Sequence, residues 1–370
     1  MAHHFNLEGP IARRSLLGWG AGLLGTGSAL LGLAQTGLGQ NPVPPLAGGV
    51  KPEPAEPSIR IDVQEVIVPV TVTDDKGRFV SNLEQRDFEV LDQGKHQDLI
   101  SFTRERNQPV VSGLLIDLSN STRTQWKYFQ EATIDLALTL LPGKEKPGKE
   151  KFSGYLIGYG NKAELMVNTT SDAEPIVNKL RELKPGGGAA LYDAIYMACT
   201  NRALIPGEPF EPRRVLIVIG DGNDNASKKT LAEAVEVAQR SLVTVYGIST
   251  VSYGFTSDGD ANLVRLAEET GGRVEYPLQD VYKDVSGYLS KPSDEGNLAF
   301  KAGTGGFASA LSNAVFKAIA NVTGEITTQY LLRYIPNELA PNRAFRNINV
   351  KVALPDVKVR ARKGYYPAAP

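Results

Sequence analysis

Two short segments of the chain carry side chains suited to binding a hard divalent cation. The first is Asp117-Leu-Ser119-Asn-Ser121, in which a carboxylate is followed by two hydroxyls at alternate positions. The second is Gly-Asp221-Gly, which adds another carboxylate. Carboxylate and other hard oxygen ligands are those that Mg²⁺ and Mn²⁺ prefer. The sequence therefore predicts a Mg²⁺ or Mn²⁺ site made by Asp117, Ser119, Ser121 and Asp221.

Each of these segments follows an apolar run typical of a strand that is buried on both faces. The runs are VVSGLLIDL at 110–118 and VLIVI at 215–219. Alternation of strands and helices over this region predicts an α/β fold, a doubly wound and mostly parallel sheet, in which ligands bind beyond the carboxyl ends of the strands. The other strands are expected at 152–159, 163–167, 243–248 and 273–276, and helices at 125–141, 171–183, 191–202, 231–241, 261–270 and 307–322. No structure is predicted for residues 280–306.

A glycine-rich loop, PGGGAALYD at 185–193, precedes one of these helices and is expected at the same rim. The Asp-x-Ser-x-Ser segment at 117–121, this loop and Asp221-Gly222 follow one another in the order of a known motif. They resemble the metal-ion-dependent adhesion site of von Willebrand factor type A domains. The resemblance covers roughly residues 109–322. It implies a Rossmann-like fold and a bound cation whose coordination is completed by an acidic side chain of a protein partner.

The glycine-rich loop departs from the family at one ligand position. The family commonly reads Gly-Gly-Thr-Ala-Leu-Tyr-Asp, and here Ala189 replaces the expected threonine ligand. The resemblance implies that water would have to take that place, at a cost in affinity. Asp193 is a candidate for approach through water, although an acid in the first turn of a helix also complements the helix dipole. An empty site, with 117–121 acting only as a capped strand-to-helix turn, is the alternative.

The two flanks of this region have the period-two alternation of β-strands. Strands are expected within 59–74, 78–80, 88–91, 330–334, 347–354 and 357–362. Neither flank has enough strands to cover its own apolar face, so we expect them to pair into one split antiparallel β-sandwich. Its parts are placed at 58–108 and 324–370, around a type A domain at 109–323. The flanks also resemble a bacterial group of secreted proteins built around this domain, for example in Arg362-Lys-Gly-Tyr-Tyr.

The N-terminus has the order of a secretory signal. Arg13-Arg14 precede an apolar run from Leu16 to Ala34 that ends in small residues, and the basic pair resembles a twin-arginine signal. We expect residues 1–39 to be a signal peptide, and the Pro/Gly-rich residues 40–57 to be a linker. An uncleaved membrane anchor is the alternative. The mature chain is thus expected to be exported, periplasmic or extracellular, without insertion into a membrane.

Composition excludes several classes of function. Forty Lys and Arg against 41 Asp and Glu give a net charge of -1, without the basic excess of a nucleic-acid binder. The single Cys199 rules out an internal disulfide framework. The three histidines lie near the N-terminus or in an early polar turn, so Ser119 has no histidine base for catalysis. We expect a non-enzymatic protein-binding function, or alternatively an envelope structural or assembly protein whose metal site is vestigial.

Overall fold

The computed structural model describes residues 65–104, 109–141, 143, 152–204, 212–251, 258–279, 295–338 and 344–367. Side chains are described for all of these except 202 and 295–308. The chain divides into two compact units, Met1–Ile59 and Arg60–Pro370, and every described residue belongs to the second. The predicted signal peptide at 1–39 and linker at 40–57 lie outside the described residues.

The strands in chain order are β1 (Val66–Asp74), β2 (Phe88–Asp92), β3 (Lys95–Gln97), β4 (Leu99–Thr103), β5 (Val110–Asp117), β6 (Phe152–Tyr159), β7 (Ala163–Thr170), β8 (Arg213–Gly220), β9 (Val243–Ser249), β10 (Val274–Glu275), β11 (Tyr330–Tyr334), β12 (Arg346–Val352), β13 (Val357–Ala361) and β14 (Gly364–Tyr365). The α-helices are α1 (Trp126–Leu140), α2 (Glu174–Glu182), α3 (Leu191–Thr200), α4 (Leu231–Arg240), α5 (Asp258–Thr270) and α6 (Glu295–Thr328).

A six-stranded sheet in the order β10-β9-β8-β5-β6-β7 forms the centre of the larger module. Its neighbours pair in parallel, except that β7 runs antiparallel to β6 at one edge. All eight residues of β5 are buried, as the apolar run predicted for a central strand covered on both faces. The prediction of a doubly wound, mostly parallel sheet is therefore confirmed.

Helices cover both faces of this sheet. On one face, α1, α2 and α6 contribute Leu136, Ile176 and Ile319 to a core shared with the sheet. On the other, α3, α4 and α5 contribute side chains such as Ile195 and Ala238 to a second core. The apolar residues recur at helical spacing on these helices, so each helix buries one stripe against the sheet.

The two flanks form an antiparallel β-sandwich, as predicted. One sheet has the order β13-β1-β11-β4 and the other β14-β12-β2-β3. β1 lies between two C-terminal strands, and β2 pairs with β12, so each sheet combines both ends of the chain. Alternate residues of β1, from Val66 to Val72, enter a core with side chains such as Tyr330 and Leu332. Neither flank buries its apolar face without the other.

Several elements differ from the predictions. Residues 78–80 form no strand and contribute one bridge, between Phe79 and Thr73. β3 and β4 were not predicted, because β3 is short and polar and β4 lacks clear alternation. The last helix was expected at 307–322 and extends over Glu295–Thr328, so glycines at 303, 305 and 306 do not end it. Of the unassigned segment, 280–294 lies outside the described residues.

The last helix joins the two modules. α6 is followed by Gln329 alone before β11 begins. Near its end, Glu325 is fully buried and accepts a hydrogen bond from Thr71 on β1 (Oγ1 to Oε1, 2.9 Å). Arg360 on β13 donates to the other carboxylate oxygen (2.6 Å). Helix and sandwich are thus fixed to each other by charged and polar contacts. In the described ranges, no helix has both the length and the apolar character to cross a membrane.

Candidate functional site

Strand register brings the two candidate carboxylates to one rim of the central sheet. Ile116 on β5 pairs in parallel with Ile219 on β8. Asp117, the last residue of β5, therefore lies beside Gly220, and Asp221 follows at once. Both carboxylates are buried, and the pKa of Asp117 is raised mainly by burial and to a smaller extent by the charge of Asp221, as expected for carboxylates close together. The structure thus places Asp117 and Asp221 next to each other at the carboxyl ends of neighbouring strands.

The two candidate serines lie in the turn that follows Asp117. The backbone N–H of Ser119 donates to Asp117 Oδ1 (2.7 Å), and the hydroxyls of Ser119 and Ser121 are hydrogen-bonded to each other (2.8 Å). Ser119 is the N-cap residue of a short 3-10 helix at Asn120–Thr122, but its side chain makes no capping hydrogen bond. Its hydroxyl therefore lies among the candidate ligands and does not serve as a cap.

Asp117 has one oxygen that no group satisfies. Its Oδ2 is buried and, within the described part of the chain, has no hydrogen-bond partner. Burial raises the pKa of Asp117 to about 7, although hydrogen bonds from Ser119 and from the Asp221 backbone act in the opposite direction. A carboxylate oxygen buried without a partner is costly, and a bound cation would remove that cost.

Gly220 provides the space in which the Asp117 carboxylate lies. A Cβ atom at this position would come within 3.0 Å of Asp117 Oδ2 and 2.2 Å of the Tyr159 hydroxyl. Tyr159, at the end of β6, is completely buried beneath the rim. Burial, together with the charges of Asp117 and Asp221, raises the Tyr159 pKa well above its usual value. A side chain at 220 would displace one of these groups.

Three loops form the rim: loop one (118–125), loop two (183–190) and loop three (221–230). Loop two is hydrogen-bonded to loop one by backbone groups, from Gly186 N–H to Leu118 O (2.6 Å) and from Asn120 N–H to Gly187 O (3.0 Å). Gly187 has a φ of +97°, a conformation that favours glycine. Asn161 lies in the turn between β6 and β7, and its Oδ1 accepts a hydrogen bond from the N–H of Gly188 (2.7 Å). The predicted approach of the glycine-rich loop to the Asp-x-Ser-x-Ser segment is therefore observed.

Ala189 is held firmly but offers no ligand atom. Its N–H donates to Asn225 Oδ1 (2.9 Å), and its carbonyl accepts the N–H groups of Asn225 and Ala226 (both 3.0 Å). The residue is 1% exposed and belongs to the core on the α3 side of the sheet. The backbone of this position is thus fixed against loop three, while its methyl group cannot coordinate a cation.

Asp193 and Asp224 bind backbone groups across the loops. Asp193, in the first turn of α3, accepts the N–H groups of Lys228 (3.1 Å) and Lys229 (3.0 Å). Asp224 accepts the N–H of Tyr192 (2.8 Å). The carboxylate of Asp193 is therefore engaged in holding loop three, whether or not it also reaches a cation through water.

Sequence reasoning missed the side chains that hold these loops together. Asn161, Asn225 and Asp224 stand in segments whose composition indicates ordinary turns, and turn residues commonly bind nearby backbone. Their partners lie on loop two or in the first turn of α3, 27 to 36 positions away in sequence. No spacing rule identifies such contacts in advance.

The candidate donors suit a hard cation that keeps part of its charge. In the ranges that the structure covers, no three or more His, Cys, Asp or Glu side chains form a metal-binding group. The set at the rim combines the Asp117 and Asp221 carboxylates with the neutral hydroxyls of Ser119 and Ser121. The unsatisfied Asp117 oxygen and the adjacent hydroxyl pair fit Mg²⁺ or Mn²⁺ in donor chemistry.

Comparison with solved structures found similar folds at low identity. A von Willebrand factor type A protein from Catenulispora acidiphila is 12% identical, over 83% of this chain and 64% of that one, with a TM-score of 0.38. Proximal thread matrix protein 1 from the mussel byssus is 14% identical, over 59% of this chain, with a TM-score of 0.40. The chain spans about half of the mussel protein's length (48%). BatB from Bacteroides thetaiotaomicron is 20% identical, over 45% of this chain and 88% of that one, with a TM-score of 0.33.

Comparison with curated proteins gave no match. The family model described as von Willebrand factor type A domain matches residues 113–285. This range contains the end of β5, strands β6 to β10, the rim loops and helices α1 to α5. Fold, loop order and family match agree, and the chain therefore contains a von Willebrand factor type A domain.

Proposed function

We propose that this is an exported, non-enzymatic binding protein whose type A domain engages a protein partner through a divalent cation. Asp117, Ser119, Ser121 and Asp221 would hold the cation, Mg²⁺ or Mn²⁺, at the rim. Because Ala189 has no side-chain oxygen to offer, the bound cation would act as a Lewis acid with open positions for a carboxylate of the partner. The chain's own residues would hold the ion and orient the partner.

The observation that carries this proposal is the arrangement of the Asp117 turn. One oxygen of Asp117 binds the Ser119 amide, and the other is buried without a partner. Two hydroxyls lie 2.8 Å apart on the same turn. A purely structural turn would satisfy its buried carboxylate, as buried polar groups generally are satisfied. A cation-binding turn leaves that oxygen for the ion.

A binding role is favoured over catalysis by the surroundings of Ser119. Its hydroxyl contacts Ser121 and Asp117. The one described histidine, His96, lies on β3 of the sandwich near Glu89 and Asp98. A serine nucleophile usually relies on an adjacent histidine held by a third group, and the described rim offers Ser119 no histidine.

Ala189 supports a second candidate function. This residue provides no side-chain oxygen, and its backbone is bound to loop three. A rim that no longer holds a cation would suit an envelope structural or assembly protein that associates through other surfaces. In that case, association with a partner would not depend on divalent cations.

Titration calorimetry on the full chain tests the metal site. We expect Mg²⁺ or Mn²⁺ at millimolar concentration to give a binding isotherm that Asp117→Asn abolishes. Absence of heat with either cation would favour the second candidate. Pull-down from envelope extract, with and without a chelator, then tests whether partner binding needs the cation. Intact-mass analysis of native material tests export, for which loss of the segment up to about residue 34–39 is expected.

A further inference from the structure

Each of the three rim loops carries an exposed basic side chain without an ion-pair partner. They are Arg123 on loop one, Lys184 on loop two and Lys228 on loop three, and all three side chains are exposed. None of them forms a salt bridge to any residue that the structure describes. The one other lysine of these loops, Lys229, is half-buried and paired with Glu233. These three cations, here called the basic triad, are free to meet a ligand.

The basic triad lies around the candidate cation site. Arg123 is three residues from Asn120, whose N–H bonds loop two, and its own N–H donates to Asn120 O. Lys184 is two residues from Gly186, which bonds back to loop one. The backbone N–H of Lys228 is bound by Asp193 at the start of α3. Two or three residues span about 10 Å at most, so all three cations border the same rim.

The acidic side chains of the rim point the other way. Asp117 and Asp221 are buried, while Asp193 and Asp224 bind backbone amides. Their negative charges are therefore turned inward or used within the loops, and the cations are turned to solvent. Loops one to three therefore present cations rather than carboxylates to a partner, while the exposed Asp258 stands at the start of α5, whose Gly259 packs against Gly222 of loop three.

We propose that the rim docks a cluster of acidic side chains on a polypeptide, with the basic triad binding carboxylates beyond the one that the cation takes. The contact between the cation and the partner's first carboxylate rests on the proposed function. The contacts of the basic triad with further carboxylates do not need the metal. Loops one to three contain no aromatic residue on which a base could stack. An acidic peptide therefore fits the rim better than a single-stranded nucleic acid.

Binding of a fluorescent hexaglutamate peptide to the full chain tests this proposal. The test variant is Arg123→Glu, Lys184→Glu and Lys228→Glu combined. The control variant combines Lys76→Glu, Lys317→Glu and Lys358→Glu, which are also exposed and outside salt bridges in the described chain. Both variants change the net charge by the same amount, so any difference between them reports position.

We expect the test variant to weaken hexaglutamate binding about tenfold or more, since each exposed ion pair contributes modestly and three are lost. The control variant should bind nearly as the unaltered chain does. Raising salt from about 50 to about 500 mM should weaken binding to the unaltered chain, because exposed charges are screened. The test variant's loss should persist in a chelator, where only the triad acts.

Equal affinity of the test and control variants would overturn the proposal. Tighter binding of oligothymidine than of hexaglutamate would overturn it as well, because the rim would then prefer a nucleic acid. Failure of the proposed metal site has a separate signature. In that case the chelator has no effect on the unaltered chain, while the difference between the two variants remains.

Discussion

Two of the buried carboxylates, Glu325 and Asp117, have opposite surroundings. Glu325, where α6 meets the sandwich, accepts a hydrogen bond from Thr71 and pairs with both Arg273 (Nε to Oε2, 2.9 Å) and Arg360 (2.6 Å). Asp117, at the rim, has no cationic partner among the described residues and keeps one oxygen unsatisfied. The charge of Glu325 is therefore compensated by neighbouring side chains, whereas the charge of Asp117 is not.

This difference separates a structural site from a binding site in physical terms. A buried ion pair needs good geometry and further hydrogen bonds to offset the desolvation of its charges. Glu325 has a hydrogen-bonded cation in Arg360 and further hydrogen bonds from Thr71 and Tyr246, so it fixes the type A domain to the sandwich. Asp117 accepts hydrogen bonds from Ser119 but has no cationic partner in the described chain, so its burial costs stability unless a ligand supplies the missing charge. The two carboxylates therefore predict different responses to mutation, pH and metal.

Deleting residues 325–370 should have the largest effect, because it removes Glu325 and the strands β11 to β14. β1 would lose both of its neighbours and expose the apolar face that includes Val66, Val68 and Val70. We expect the truncated chain to aggregate or be degraded, as measured by size-exclusion chromatography and hydrogen exchange. A soluble product with β1 still protected from exchange would show that the N-terminal strands fold without the C-terminal ones.

Glu325→Gln should cost about 3 kcal/mol or more in the free energy of unfolding. The change keeps the size of the side chain but leaves the Arg360 charge without its carboxylate, while Arg273 retains its pair with Glu275. Urea denaturation measures the loss. Glu338→Gln is a matched control, because its pair with Lys95 is exposed and should contribute little. Similar losses in the two variants would mean that the junction is no more than a surface contact.

Sequence patterns predicted what depends on local periodicity. The continuous apolar runs identified β5 and β8, and these strands determine where Asp117 and Asp221 lie. Alternation in the flanks, combined with their small number of strands, predicted the split sandwich. Both inferences rest on which residues of a strand are buried, and the pattern of apolar residues within a single segment already indicates this.

Contacts between distant segments could not be predicted in the same way. Glu325 sits in a helix, where a glutamate usually faces water, and its partners Thr71 and Arg360 lie 254 and 35 positions away. Asn225 reads as a turn residue, yet it holds Ala189 through side chain and backbone. Such roles follow from the packing of the whole fold, so no local sequence motif predicts them.

The stability of the metal-free protein should depend on pH through Asp117. Its pKa in the folded state is about 7, above the ordinary 3.8, so the folded chain binds more protons than the unfolded chain between these values. The contribution to stability is therefore full below about pH 4 and is lost as pH rises through 7, by up to ~1.4 kcal/mol per pH unit.

Asp117→Asn isolates this contribution, because the amide does not titrate. Urea denaturation in a chelator, from pH 5 to pH 8, should show the difference between the two proteins changing in favour of Asp117→Asn as pH rises. Mg²⁺ should then stabilise the unaltered chain at pH 8 and leave the variant unchanged. A difference that stays constant with pH would mean that Asp117 is ionised normally, so the contrast with Glu325 would lose its energetic basis.

The smallest expected effect comes from restoring a ligand oxygen at loop two. Ala189→Thr places a hydroxyl on a backbone that Asn225 already fixes, and we expect Mg²⁺ affinity to rise about tenfold, or ~1.4 kcal/mol. Since the residue is 1% exposed, the added atoms should also cost ~1 kcal/mol or more of stability by overpacking. Ala189→Val is the matched control, because it has the same shape without the hydroxyl. Calorimetry should show higher affinity in the threonine variant alone, while urea denaturation shows similar losses in both. If threonine and valine give the same affinity, loop two does not face the cation, and the open oxygen of Asp117 must be completed from loops one and three.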